Sequence, residues 1–243
     1  MREELTNSMA NKERVIIDMH VHTKYSDGVH DIKEILLYAK HKGLSGIAIT
    51  DHNTVLGALK ALKLSIDYNV TIIPGVEVNT SKAHVLLYGI REEIPARLKK
   101  NPPIQELIDY AQENDLLVSI AHPYGRALFF KYPVVNMHDV LHRVHAIEVA
   151  NGRTPPRQNA EAFKLAMKYN KAFTGGSDAH IIDELGRIRV VAFEPVENYE
   201  DFLRQVLKKK IKIIGNTEVI TIISGIIKRR IILLEKSIRT LIK

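Results

Sequence analysis

The chain contains no cysteine, which excludes disulfides, thiolate zinc sites, iron–sulfur clusters and cysteine nucleophiles together. Any metal ion must therefore be held through nitrogen and oxygen. Tryptophan is also absent and aromatic residues make up only 6% of the chain, which leaves little for base stacking. Neither a Gly-x-Gly-x-x-Gly nor a P-loop pattern follows any apolar run, so dinucleotide and P-loop sites have no support. No uninterrupted apolar run approaches the roughly 18 residues that cross a bilayer. Met1 to Arg14 is polar and of mixed charge, without the apolar segment of a signal peptide. A cytoplasmic protein with no transmembrane segment is expected.

What is present fits one large globular domain: 243 residues, 45% hydrophobic and 26% charged. The net charge of +7 is uneven, because Asn216 to Lys243 holds six Lys/Arg against two Glu and so carries +4 of it. Charge of this kind suits nucleic acid, a membrane surface or an anionic substrate without choosing among them.

Short apolar runs alternate with segments of helical period. Strands are expected at Val15 to Ile17, Gly46 to Thr50, Val70 to Ile73, His84 to Tyr88, Leu116 to Ala121, Ala146 to Val149, Lys171 to Thr174 and Ile188 to Phe193. Between them, Asp31 caps a helix with Ile32, Ile35, Leu36 and Ala39 on one face and Gly43 as its stop. Further helices are expected over Thr54 to Asp67, from Pro103 with Ile104, Leu107, Ile108 and Ala111 inward, and over Arg157 to Tyr169. Seven or eight strands with helical crossovers point to a parallel barrel, with an open doubly wound sheet as the alternative.

Barrel enzymes build their sites from loops at strand C-termini, and the polar residues of this chain collect there. The first strand runs into Asp18, His20, His22 and Asp27; the second ends in Asp51 and His52; the third leads to Glu77. His122 follows another, Glu148 and Asn151 end the next, and Asp178 and His180 follow Gly175-Gly176. Imidazole and carboxylate together suit zinc, manganese or iron. In extended backbone His20 and His22 point the same way and can grip one ion. Histidine-x-histidine alone is a weak signal; the recurrence after successive strands is the strong one. His30, His41, His138, His142 and His145 are read as surface or hydrogen-bonded core histidines, His41 suiting the negative end of a helix.

The segments Asp18-Met19-His20-Val21-His22-Thr23 with Ser26-Asp27-Gly28, Thr50-Asp51-His52-Asn53, Gly75-Val76-Glu77, His84-Val85-Leu86, Ala121-His122-Pro123 and Gly176-Ser177-Asp178-Ala179-His180 together resemble the polymerase and histidinol phosphatase (PHP) family of metal-dependent phosphoesterases. The resemblance covers about Ile16 to Ile214. It implies an α/β fold, a distorted (β/α)7 TIM-like barrel, with two or three divalent ions, manganese, zinc or iron, at its C-terminal face. By the same resemblance His20, His22, Glu77 and Asp178 hold one ion, Glu77, His84 and His122 a second, and Asp27, His52 and His180 a third. His84 begins a strand rather than ending one, so Val76 to Tyr88 is expected to fold back as a hairpin.

The expected reaction is hydrolysis of a phosphate ester by an in-line, metal-bridging hydroxide, with no protein nucleophile; Ser177 lacks a Gly-x-Ser-x-Gly context. Guanidinium matches phosphate in a bidentate way, so Arg126, Arg153 and Arg187, each shortly after a ligand-bearing strand, are the candidate substrate contacts. The substrate class is a small phosphorylated molecule, a nucleotide or another metabolite. Histidinol phosphate, and a nucleic-acid-binding or nuclease role on the same barrel, are the alternatives. Three segments are expected: a polar extension over 1–14, a barrel over 15–215, and a basic amphipathic C-terminal helix over 216–243 that packs on the barrel or mediates oligomerisation.

Overall fold

The computed structural model describes residues 14–125 and 138–241. Among the described residues nine strands form one sheet: β1 (Ile16–Val21), β2 (Gly46–Ile49), β3 (Thr71–Asn79), β4 (His84–Tyr88), β5 (Leu117–Ile120), β6 (Ala146–Asn151), β7 (Ala172–Gly176), β8 (Ile188–Ala192) and β9 (Ile211–Gly215). In space they run β7-β6-β5-β4-β3-β2-β1-β8-β9. β1, β2 and β3 are parallel, as are β5, β6 and β7. The sheet curls until the loop after β7 meets β1: His22 N–H donates to the Ala179 carbonyl at 2.9 Å and Ala179 N–H to the His20 carbonyl at 3.3 Å. This nearly closes a distorted (β/α)7 TIM-like barrel.

The distortion lies in β4, which is antiparallel to both neighbours, pairing Asn79 with His84 and Val85 with Ile120. The hairpin expected from the position of His84 is therefore formed. Because β4 runs backwards, its first residue sits at the same end of the barrel as the last residues of β3 and β5. Two expectations differ from the structure. β8 pairs antiparallel to β1, and β9, absent from the sequence reading, extends it as a second hairpin.

Seven helices accompany the sheet among the described residues: α1 (Ile32–His41), α2 (Leu56–Tyr68), α3 (Ile104–Glu113), α4 (His138–Arg143), α5 (Pro156–Lys168), α6 (Tyr199–Leu207) and α7 (Val219–Leu241). α1 starts with a reciprocal capping box, Lys33 N–H on the Asp31 carboxylate and Asp31 N–H on Glu34, and stops at Gly43, whose φ of +68° is open to glycine. Ile32, Ile35, Leu36 and Ala39 are buried as the periodicity requires, each large side chain contributing about 1.5–3 kcal/mol.

Two apolar layers result. The outer one, between strands and helices, gathers Ile47, Ile49, Val76, Val85 and Leu87. The inner one fills the barrel with Ile17, Met19, Ile73, Leu86 and Tyr88, and α6 adds Phe202 and Val206 to it. Tyr88 spans the interior, its hydroxyl donating to the Met19 carbonyl at 2.9 Å. α6 thus fills one end of the barrel with apolar side chains, and the polar side chains occupy the other.

Candidate metal centre

Where β1 leaves the apolar interior its register against β2 shifts between Asp18 and Val21. This bulge changes the phase of the strand: Ile17 and Met19 stay in the inner layer, Val21 packs outward, and His20 and His22 reach the mouth. Their Nε2 atoms lie 3.1 Å apart. Glu77 Oε2 is 3.3 Å from each, and Asp178 Oδ1 is 3.7 Å from His20 and 3.2 Å from His22. Ligands about 2.1 Å from a tetrahedral ion are separated by about 3.4 Å, so these four atoms have the spacing of a coordination shell.

The second oxygen of Glu77 faces a different pair: Oε1 is 2.7 Å from His84 Nδ1 and 3.0 Å from His122 Nε2. One carboxylate thereby serves two clusters. His52 closes on the same carboxylate from the far side, with Nδ1 3.2 Å from Oε2. Around Asp27, His180 Nε2 lies 3.1 Å from Oδ2, while His52 Nε2 and His22 Nδ1 lie 3.9 and 3.8 Å from Oδ1. His22 therefore faces the third cluster as well as the first, a sharing not visible in the sequence. All nine histidines and carboxylates expected to be ligands converge on one mouth.

The donor chemistry fits divalent ions. His22 Nδ1, His52 Nδ1 and Asp27 Oδ1 are buried without a hydrogen-bond partner, which is costly unless something else satisfies them. The electrostatics point the same way. Burial would raise Glu77 and Asp178, but the surrounding histidines hold both carboxyls well below the usual range. Burial opposes charge on His20 and His22, yet Glu148, Asp178 and Glu77 lift His20 well above its ordinary value, and Asp178 with Glu77 lifts His22 to about 9. Burial pushes His52 down to about 4, with Glu77 opposing and His22 reinforcing, and it lowers His180 too. The floor of the mouth concentrates negative charge and draws in protons where a cation would sit.

A ring of further side chains holds the donors in place. Glu148 Oε1 meets His20 Nδ1 at 2.9 Å while its Oε2 accepts from His122 N–H at 2.8 Å and from Asn151 Nδ2 at 3.1 Å. A carboxylate on the distal nitrogen of a ligand histidine fixes its tautomer and orientation. Asn151 Nδ2 also reaches Asp178 Oδ2, 3.3 Å away. Asp18, fully buried and pushed up to about 6 by that burial, accepts from the N–H groups of Ser177 at 2.8 Å and Gly186 at 2.8 Å, and from the Ser177 hydroxyl. Ser177 is thus bound to Asp18. Asp51 accepts from Thr23 N–H, the Thr23 hydroxyl and the Ser26 hydroxyl, which shapes the loop bearing Asp27. Asp178 and His122 adopt φ of +54° and +26°. Such backbone costs on the order of 1–3 kcal/mol and clusters at functional sites.

Three of the five histidines read as bland fall away from the mouth. His145 Nδ1 accepts from Val118 N–H at 3.0 Å, and His138 and His142 are exposed on α4.

Above the clusters lies a pocket of about 470 Å³. Arg153 lines it, as do Arg229 and Arg230 from α7. Arg187 faces away: its Nη1 donates to the Thr221 carbonyl at 3.3 Å and lies 3.7 Å from Glu184. Arg126 is outside the described residues. Sequence reasoning missed Arg229 and Arg230, whose one signal was the Lys228-Arg229-Arg230 break in an apolar segment.

Histidines and carboxylates converging on the mouth of a barrel are the donor set of a metal-dependent hydrolase, and the relatives of this chain make it a phosphoric ester hydrolase. It belongs to the PHP domain family, whose family model matches residues 18–222. An uncharacterized protein of Methanocaldococcus jannaschii is 33% identical over 174 residues, 70% of this chain and 67% of that protein. The phosphoribosyl 1,2-cyclic phosphate 1,2-diphosphodiesterase of Eggerthella lenta is 33% identical over 88 residues, 34% of each chain. Among solved structures, a two-domain protein of Bacteroides vulgatus containing a predicted PHP-like metal-dependent phosphoesterase superposes with a TM-score of 0.70 at 17% identity, over 84% of this chain and 65% of that one.

Proposed function

We propose that the protein hydrolyses a phosphate ester of a small molecule, a nucleotide or another phosphorylated metabolite, in the cytoplasm. The observation that carries this is the pocket: its floor is the His/carboxylate clusters, its walls carry Arg153 and Arg230, and its volume of about 470 Å³ suits a small ligand. α7 forms one of those walls through Ile222 and Ile226.

His20, His22, Glu77 and Asp178 would hold one divalent ion, Glu77, His84 and His122 a second, and Asp27, His52 and His180 a third. Bound there, such ions supply an activated water at neutral pH and neutralise charge on the transferring phosphoryl group. The chain's own residues do the rest. Glu148 keeps His20 in a single tautomer by accepting from Nδ1–H, so that Nε2 presents a lone pair. Asn151 holds Asp178 at one oxygen and leaves the other facing the histidines. Arg153 and Arg230 take phosphate oxygens as charge-assisted, bidentate donors, and the apolar wall of α7 limits water around them.

A screen of p-nitrophenyl phosphate, nucleotides and sugar phosphates, with metal analysis of the same sample, tests this. The expected result is turnover of at least one small phosphate ester, lost on chelation and restored by a divalent ion. Undiminished turnover in a verified metal-free sample overturns it. So does salt-dependent retention of RNA with no turnover of any small ester.

A further inference from the structure

Asp27 sits in the loop between β1 and α1, and nearly everything around it is fixed from within the barrel. Ser26 N–H and Gly28 N–H donate to the Thr23 carbonyl at 3.1 and 3.0 Å, and Val29 N–H donates to the His180 carbonyl at 3.0 Å. Gly28 lies so close over the His22 carbonyl that a Cβ there would overlap it. The side chain of Asp27 is held differently. It is 41% exposed, and its Oδ2 accepts from Arg229 Nη2 at 3.1 Å, beside His180 Nε2. The same guanidinium donates to the Asp27 carbonyl through Nε at 3.2 Å and through Nη2. One arginine, 202 residues along the chain, thus grips backbone and carboxylate of a single residue. The oxygen it leaves free, Oδ1, is buried, has no hydrogen-bond partner and faces His22 Nδ1 and His52 Nε2.

We propose that Arg229 is a positioning residue for the third cation cluster: by holding Asp27 Oδ2 it turns Oδ1 inward, so the ion of that cluster binds tightly only when α7 is docked. This rests on the reading that the clusters hold divalent ions. A guanidinium near a cation also repels it, so the sign needs deciding. Arg229 contacts Oδ2, which faces His180 but is turned away from His22 and His52, and Asp27 is 41% exposed, where water limits the interaction of two unit charges about 4 Å apart to roughly fivefold in affinity. Loss of an orienting partner of a metal ligand lowers affinity roughly 10- to 100-fold, so orientation outweighs the screened repulsion. α7 is placed for this by contacts away from Asp27. Lys236 donates to the Val29 carbonyl, Lys228 pairs with Asp183 at 2.7 Å, and Gly225 lies so close to the buried Glu184 carboxylate that a Cβ would overlap it.

The test is a Mn(II) titration of the full chain with metal counted by mass spectrometry after desalting, together with a thermal melt. Wild type, Arg229→Gln, Arg229→Lys and Lys228→Ala are compared. Wild type is expected to bind three ions, the last the most weakly. Arg229→Gln should weaken only that last ion, by about tenfold or more; Arg229→Lys, which keeps the charge on a single donor nitrogen, should fall between; Lys228→Ala, which removes one exposed ion pair and leaves α7 docked, should match wild type. The proposal is overturned if Arg229→Gln binds the last ion as tightly as wild type or more tightly, or if Lys228→Ala weakens it equally. A wild type with two ions that still hydrolyses esters overturns this proposal and leaves the phosphoesterase reading standing; a wild type that binds none overturns both.

Discussion

Replacing Glu148 by Gln separates orientation of the metal ligands from ligation itself. Glu148 is 1% exposed and accepts three hydrogen bonds: from His20 Nδ1–H at 2.9 Å on one oxygen, and from His122 N–H at 2.8 Å and Asn151 Nδ2 at 3.1 Å on the other. The amide keeps the shape but offers one acceptor. If its oxygen stays on His20, its NH2 faces two donors; if it flips, His20 Nδ1–H loses its acceptor. Either way a buried donor is left unpaired, a cost of about 1–3 kcal/mol in folding stability. The consequence for metal is larger in kind, because Glu148 ties a member of the first cluster to one of the second. Loss of such a partner lowers metal affinity about 10- to 100-fold, which corresponds to about 1.4–2.7 kcal/mol. Competition with a chromophoric chelator gives the affinity, and urea denaturation of the metal-free protein gives the stability. Wild-type metal affinity together with lowered stability would refute the orienting role and leave Glu148 as a packing residue.

Two further outcomes follow from the same geometry. His20→Ala or His22→Ala should abolish phosphoester hydrolysis while the circular dichroism spectrum is kept and stability drops by no more than about 3 kcal/mol; full retained activity would refute their place in the site. In the metal-free protein His22 is raised to about 9 by Asp178 and Glu77 against burial, so it is protonated at pH 7 and an incoming ion must displace that proton. Metal affinity should therefore rise with pH up to about 9, and the calorimetric heat at pH 7 should depend on the ionisation enthalpy of the buffer; a buffer-independent heat would contradict it.

The site was legible to the degree that strand ends are legible. Histidines and carboxylates at the ends of β1, β2, β3, β5, β6 and β7 can be found because apolar runs mark strands and barrels collect polar side chains after them. His84 was legible for the opposite reason, since a ligand at a strand start required a reversed strand, and β4 is reversed. What escaped detection depends on packing. Asn198 caps α6 through Asp201 N–H at 2.9 Å, a local signal of a helix, but nothing local says that Phe202 fills the barrel interior. Arg187 and Arg153 look alike in sequence, each just beyond a strand-end carboxylate. Only the fold turns one toward the pocket and the other toward Glu184 and Thr221.

The sequence by itself determined an α/β fold, the hairpin that reverses β4 and the set of nitrogen and oxygen donors, because absent cysteine, strand periodicity and the order of His/Asp/Glu after strands are all one-dimensional facts. Tertiary structure alone decided which donors share an oxygen of Glu77, that Glu148 joins His20 to His122, and that Arg229 closes on Asp27. Those contacts join residues 57, 128 and 202 positions apart. No spacing rule reaches across a barrel mouth, where partners are brought together by the closure of the sheet and the docking of its last helix.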